Sequence, residues 1–82
     1  MKIEFQNAGY EGRLIITGYL PESRKLNVVV DEILLRIPGL RVVEEGFFLR
    51  TIIITGKYAA LLHAEAGLRE IGFKVREREY NE

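Results

Sequence analysis

The four residues Ile-Ile-Thr-Gly occur twice in this chain, at 15–18 and again as Ile53-Ile54-Thr55-Gly56. Each copy ends an aliphatic run whose β-branched side chains suit the pleated surface of a strand. Each is followed by a stretch with the periodicity of a helix. Both stretches then return at a glycine, Gly39 or Gly72, into a charged segment: Leu40-Arg-Val-Val-Glu44 and Phe73-Lys-Val-Arg-Glu77. Strand, helix and strand are thus written twice, and helices and strands must bury their apolar sides on one another. The first unit is longer than the second, so the repeat is one of architecture.

The remaining segments complete the element order. Lys2 to Gln6 alternates polar and apolar, with Ile3 and Phe5 on one face of a strand. Asn7 to Gly12 reads as a hairpin connection, and Arg13 to Leu20 as a second strand. A helix opens either with Pro21 as its first residue or with Ser23 as its N-cap, and Pro38-Gly39 ends it after about Ile37. Leu26, Val29, Val30, Ile33, Leu34 and Ile37 share its apolar face. Strands at Leu40–Glu44 and Phe47–Thr55 flank a tight Glu45-Gly46 turn. A second helix spans about Gly56 to Ile71, with Gly72 as its left-handed cap and Phe73 folding back onto its last turn. Lys74 to Tyr80 forms a charged last strand.

The order β-β-α-β-β-α-β implies an α+β fold, a ferredoxin-like split β-α-β sandwich with an extra N-terminal strand. Two helices cover one face of a mainly antiparallel sheet, in one domain spanning residues 1–82. In the simplest ferredoxin-like order the last strand lies beside Arg13 to Leu20. The short Asn7–Gly12 connection instead puts Lys2 to Gln6 there. The last strand is expected outside it, at an edge where its charges oppose aggregation.

Composition bounds the function. Basic and acidic residues number 12 each and the net charge is zero, without the basic surplus of a dedicated nucleic-acid binder. There is no cysteine, hence no disulfide and no thiolate chemistry. No apolar run reaches the ~20 residues that span a bilayer, and the first residues do not read as a signal peptide, so a cytoplasmic location is expected and no membrane partner.

Chemistry-bearing residues are few. Ile-Ile-Thr-Gly-Lys57 has the end of a phosphate-binding loop, but the full signature needs a glycine where Thr51 stands and Ser or Thr where Tyr58 stands. Ser23, Asp31 and His63 are each the sole residue of their type. A catalytic set would need all three to converge, whereas Ser23 and Asp31 lie about two turns apart on one helix and His63 on the other. Around His63 the helical positions hold Ala59, Ala60, Ala66 and Gly67, none of them a ligand. The expectation is a non-enzymatic protein without cofactor or metal.

One stretch, Ile15-Ile-Thr-Gly-Tyr-Leu-Pro21, is similar to the first-strand motif of RNA-recognition motif domains, Leu-Phe-Val-Gly-Asn-Leu-Pro. The stacking aromatic of that motif is Ile16 here, and the second motif keeps only Gly46 and Phe47. The similarity is read as shared geometry. It leaves an alternative function, nucleic-acid or nucleotide binding on the open sheet face through Arg13, Tyr19, Phe48 and Arg50.

The preferred reading comes from the helices. Val28 and Leu35 project one heptad apart within the polar arc of the first helix. On the second helix Leu62 falls outside the buried face, near Tyr58. If the helices lie side by side, Val28, Leu35, Tyr58 and Leu62 make one apolar patch rimmed by Arg24, Glu32, Glu65 and Arg69. Such patches mark protein interfaces. The chain is therefore expected to bind a protein partner or itself, with a homodimer possible. A designed chain without function is a weaker alternative, opposed by the Val28-Val29-Val30 run within a helix.

Overall fold

In a computed structural model that describes residues 1–79, the chain forms β1 (Lys2–Ala8), β2 (Glu11–Tyr19), α1 (Ser23–Arg36) and β3 (Arg41–Glu45). It continues through β4 (Leu49–Lys57), α2 (Tyr58–Glu70) and β5 (Arg76–Glu79). The five strands lie in the order β3-β4-β2-β1-β5. Every neighbouring pair is antiparallel except β1 with β5. This is the ferredoxin-like arrangement with β1 inserted between β2 and the last strand, as the short first connection requires.

Alternation along the strands decides the two faces. Leu14 and Ile16 of β2 and Ile52 and Ile54 of β4 are almost wholly buried under the helices, with Ile3 and Phe5 of β1 beside them. Leu26, Val29, Val30 and Ile33 of α1 and Leu61, Ala64 and Leu68 of α2 close the core from above. Full burial of a side chain of this size contributes roughly 1.5–3 kcal/mol relative to exposure. Leu34, expected in the buried face, is exposed. It lies at the margin of the apolar arc, roughly 100° from Ile33 around the helix.

The two Thr-Gly pairs, at the ends of β2 and β4, do architectural work. A β-carbon on Gly18 would lie 2.9 Å from Leu26 Cδ1, and one on Gly56 would lie 2.5 Å from Leu40 Cδ2. Both glycines face the helix layer at strand ends, where a leucine of the same layer or its connection crosses the sheet. They spare the space that any side chain would take, and this answers why the motif recurs.

Boundaries shifted modestly. Gly56 and Lys57 belong to β4, and α2 starts at Tyr58. The turn between β1 and β2 is only Gly9-Tyr10. Neither candidate opening of α1 holds as expected: Pro21 sits in a short 3-10 turn over Leu20–Glu22, and Ser23 is the first residue of the α-helix, with Glu22 in the N-cap position and no side-chain cap. The Glu22 carboxylate closes that turn by accepting the Tyr19 N–H at 3.1 Å. Tyr80, expected to end β5, lies outside the described residues.

Candidate functional site

Exposed apolar side chains concentrate at one end of the sheet. Tyr19 and Leu49 face each other across the β2–β4 ladder, and both are exposed. The backbone N–H of Leu20 donates to the Phe48 carbonyl at 2.7 Å, binding the end of β2 to the tip of the β3–β4 hairpin. At that tip the Phe47 and Phe48 rings meet edge to face, with centroids 4.9 Å apart. They are 68% and 72% exposed.

Turns are normally polar, since a loop gains nothing by exposing rings to water. Here Gly46, at φ +89°, lets the chain reverse after Glu45 and places both phenylalanines beyond the last ladder pair. A β-carbon at this position would collide with the Leu49 carbonyl oxygen. The signal in the sequence was the pair Phe47-Phe48 directly after a turn glycine. The sequence pattern sets Phe47 at the start of a strand, whereas the strand starts at Leu49 and both rings stay in the turn.

The hairpin's outer strand is equally bare. Every residue of β3 is exposed on both faces, including Val42 at 37% and Val43 at 56%. The helix layer stops short of β3. On the open face Val43 stands in register with Ile53 of β4, which stands in register with Ile15 of β2. An apolar row therefore runs across three strands, from β2 to the unpaired edge at β3.

The patch expected on the helix layer does not assemble. The helices do lie side by side, with a groove of about 130 Å³ between them. Val28, Val29 and Ile33 line one wall, and Ala64, Gly67 and Ile71 the other. Val28 and Leu35 are exposed as expected, but Tyr58 and Leu62 occupy the opposite flank of α2. Tyr58 packs edge-on against Phe5 of β1, its ring centroid 5.7 Å away. Leu62 lies within about 40° of it around the helix. Helical phase in the sequence holds no information on which flank of α2 meets α1.

The expected rim is divided as well. Glu65 is 5% exposed, so it belongs to the interior. It accepts a hydrogen bond from Arg69 at 3.2 Å. Arg69 also donates to the Val75 carbonyl at 3.0 Å and approaches Glu77 of β5 at 3.8 Å. Burial first, then the hydrogen bond and charge of Glu77, push the Glu65 carboxyl above its ordinary range, while Arg69 pulls the other way. Arg24 is exposed on α1, and Glu32 pairs with Arg36 at 3.0 Å.

The aromatic and basic strip of the alternative reading is also split. Arg13 and Tyr19 lie on the open face, alternating with buried Leu14 and Ile16. Arg50 shares the parity of Ile52 and Ile54 and so points to the helix side. There it donates through Nε to Glu44 at 2.8 Å and through Nη2 to Asn27 of α1 at 3.1 Å. Phe48 is in the turn, off the sheet face. The row at the centre of that face is Ile15, Ile53 and Val43, with no ring on which a base could stack.

Ser23, Asp31 and His63 remain apart. Ser23 begins α1, where its Oγ is buried without a hydrogen-bond partner among the described residues. Asp31 and His63 are exposed on separate helices. Among the described residues no group of three His, Asp or Glu side chains could hold a metal ion. No helix among them is long and apolar enough to cross a membrane. Comparison with protein-family models, curated proteins and solved structures finds no match to this chain.

Proposed function

We propose that this protein is a non-enzymatic binding module that docks onto protein through its β3–β4 hairpin and the adjoining end of β2. The observation that carries this reading is the concentration of exposed apolar side chains Tyr19, Leu20, Phe47, Phe48 and Leu49 at one end of the sheet, where the Leu20–Phe48 backbone hydrogen bond ties the two segments together. Aromatic side chains are the usual anchors of protein interfaces, because they bury a large area with few rotatable bonds. A charged frame surrounds them: Glu44 and Arg50 pair on the helix side of the hairpin, and Glu45 follows on the open side. An apolar centre with a polar rim is the anatomy of a docking site.

The nucleic-acid alternative loses its geometric support, because Arg50 is engaged with Glu44 and Phe48 leaves the face that Arg13 and Tyr19 share. A photo-crosslinking residue at position 48 tests the proposal in cells. The reading predicts protein adducts that vanish when Phe47→Ser is added. Nucleic-acid adducts, or none from this position, would overturn it.

A further inference from the structure

We infer that the hairpin's partner is a second copy of this chain, joined edge to edge through antiparallel pairing of β3 about a twofold axis at Val43. The inference rests on the docking reading above and assigns its occupant. Three observations carry it.

First, β3 is an open edge. Its pairing with β4 runs residue for residue from Arg41 opposite Thr55 to Glu45 opposite Thr51, with no bulge. It has neither proline nor lysine, two common devices that blunt an edge. No helix overhangs it, since both of its faces are exposed along the whole strand. A second sheet can therefore approach without meeting the helix layer.

Second, the sequence Arg41-Val-Val-Glu-Glu45 complements itself in one register. Residues opposite each other in an antiparallel ladder point to the same face. With Val43 opposite Val43 of the second copy, Arg41 stands opposite Glu45 and Glu45 opposite Arg41, all on the open face. Val42 stands opposite Glu44 on the helix face. All five residues of the strand then pair, and both strand ends gain a cross-strand pair of opposite charge. The apolar row of Ile15, Ile53 and Val43 continues across the joint into the same row of the other copy.

Third, the other edge forbids the same thing. β5 is written Arg-Glu-Arg-Glu. Antiparallel self-pairing about a twofold axis at Arg76 or at Glu77 sets arginine opposite arginine or glutamate opposite glutamate. Like charges directly opposite are destabilising. One edge of the sheet repels its own kind and the other accepts it, which limits association to a closed pair.

A five-residue strand pair buries less than the roughly 1,200 Å² of a standard interface, so the dimer is weak and is sought from micromolar to millimolar concentration. Sedimentation equilibrium at low salt, where charges are least screened, measures it in the full chain. Arg41→Glu and Glu45→Arg each place like charges opposite one another at both ends of the joint. Each is expected to weaken association roughly tenfold or more. The double exchange Arg41→Glu with Glu45→Arg restores opposite charges and is expected to recover association to within about threefold of the original.

Arg41 also lies 3.8 Å from Glu11, an exposed contact, so a melting curve for each variant confirms that the fold is kept. A monomer at every concentration overturns the self-pairing and leaves the docking reading to the crosslinking test. Association that ignores the charge exchanges but falls with Phe47→Ser and Phe48→Ser overturns the β3 register while keeping the hairpin as the docking surface. Association that ignores both sets overturns the inference and the reading together.

Discussion

The Leu20 N–H and the Phe48 carbonyl oxygen lie 2.7 Å apart, and this one hydrogen bond joins two segments that are distant in sequence. It holds the hairpin tip against the end of β2, so that the exposed Tyr19, Leu20, Phe47, Phe48 and Leu49 gather at one end of the sheet. The bond uses backbone atoms alone and survives any change of side chain. Phe47→Ser with Phe48→Ser should therefore leave the stability within about 0.5 kcal/mol of the original at each position, as for surface substitutions in general. Chemical denaturation checks this. A loss of several kcal/mol would show that the rings belong to the core.

Gly72 closes α2 with a left-handed turn at φ +101°. The Phe73 N–H reaches the Leu68 carbonyl at 3.0 Å and the Gly72 N–H reaches that of Arg69 at 3.1 Å, the paired bonds of a Schellman cap. Phe73 packs against the core as a result. Gly72→Val should cost about 1 kcal/mol or more, because a β-branched residue resists this conformation. An unchanged melting midpoint would contradict the cap.

Two other glycines should respond in opposite directions to the same change. Gly67 lies within α2, where a β-carbon would meet nothing within 4 Å. Gly67→Ala should stabilise by up to about 1 kcal/mol through helix propensity alone. At Gly56 the same methyl would press on the tip of the Leu40 side chain, and Gly56→Ala should destabilise by up to about 1 kcal/mol, the low end of overpacking, because that tip can turn aside. Thermal melts of the two variants test whether the repeated Thr-Gly is a packing feature. A neutral Gly56→Ala would remove that explanation.

The carboxyl of Glu65 titrates above its ordinary range, chiefly because it is buried. The folded protein then holds the proton more tightly than the unfolded chain does. Stability is highest with Glu65 protonated and declines as pH rises from the ordinary carboxylate range through the raised folded value. Glu65→Gln should flatten that decline and gain on the original as pH approaches neutrality. Denaturation across the acidic range measures it, and parallel profiles for the two proteins would mean that Arg69 offsets the burial fully.

Much of the fold was legible because it depends on local pattern. Alternation in β2 and β4, the Pro38-Gly39 stop and the short first connection were enough for the element order and for β1 lying between β2 and β5. The site was less legible, for reasons that differ between residues. Arg50 could have been placed on the helix side from its even spacing to Ile52 and Ile54, yet it was grouped by charge with Arg13. Leu62 is exposed as its phase on α2 implies, whereas Tyr58 is half-buried against Phe5, and the approach of α1 is a tertiary fact with no local trace. Phe47 and Phe48 read as strand residues because aromatic side chains favour strands. The turn at Gly46 overrode that preference.

Backbone amide NMR over a concentration series, from dilute to millimolar, tests most directly whether the hairpin is the associating surface. The account predicts concentration-dependent shifts confined to Tyr19, Leu20 and residues 41–49, with those around Val28, Leu35 and Leu62 unmoved. Shifts centred on the two helices, or none at any concentration up to millimolar, would contradict it.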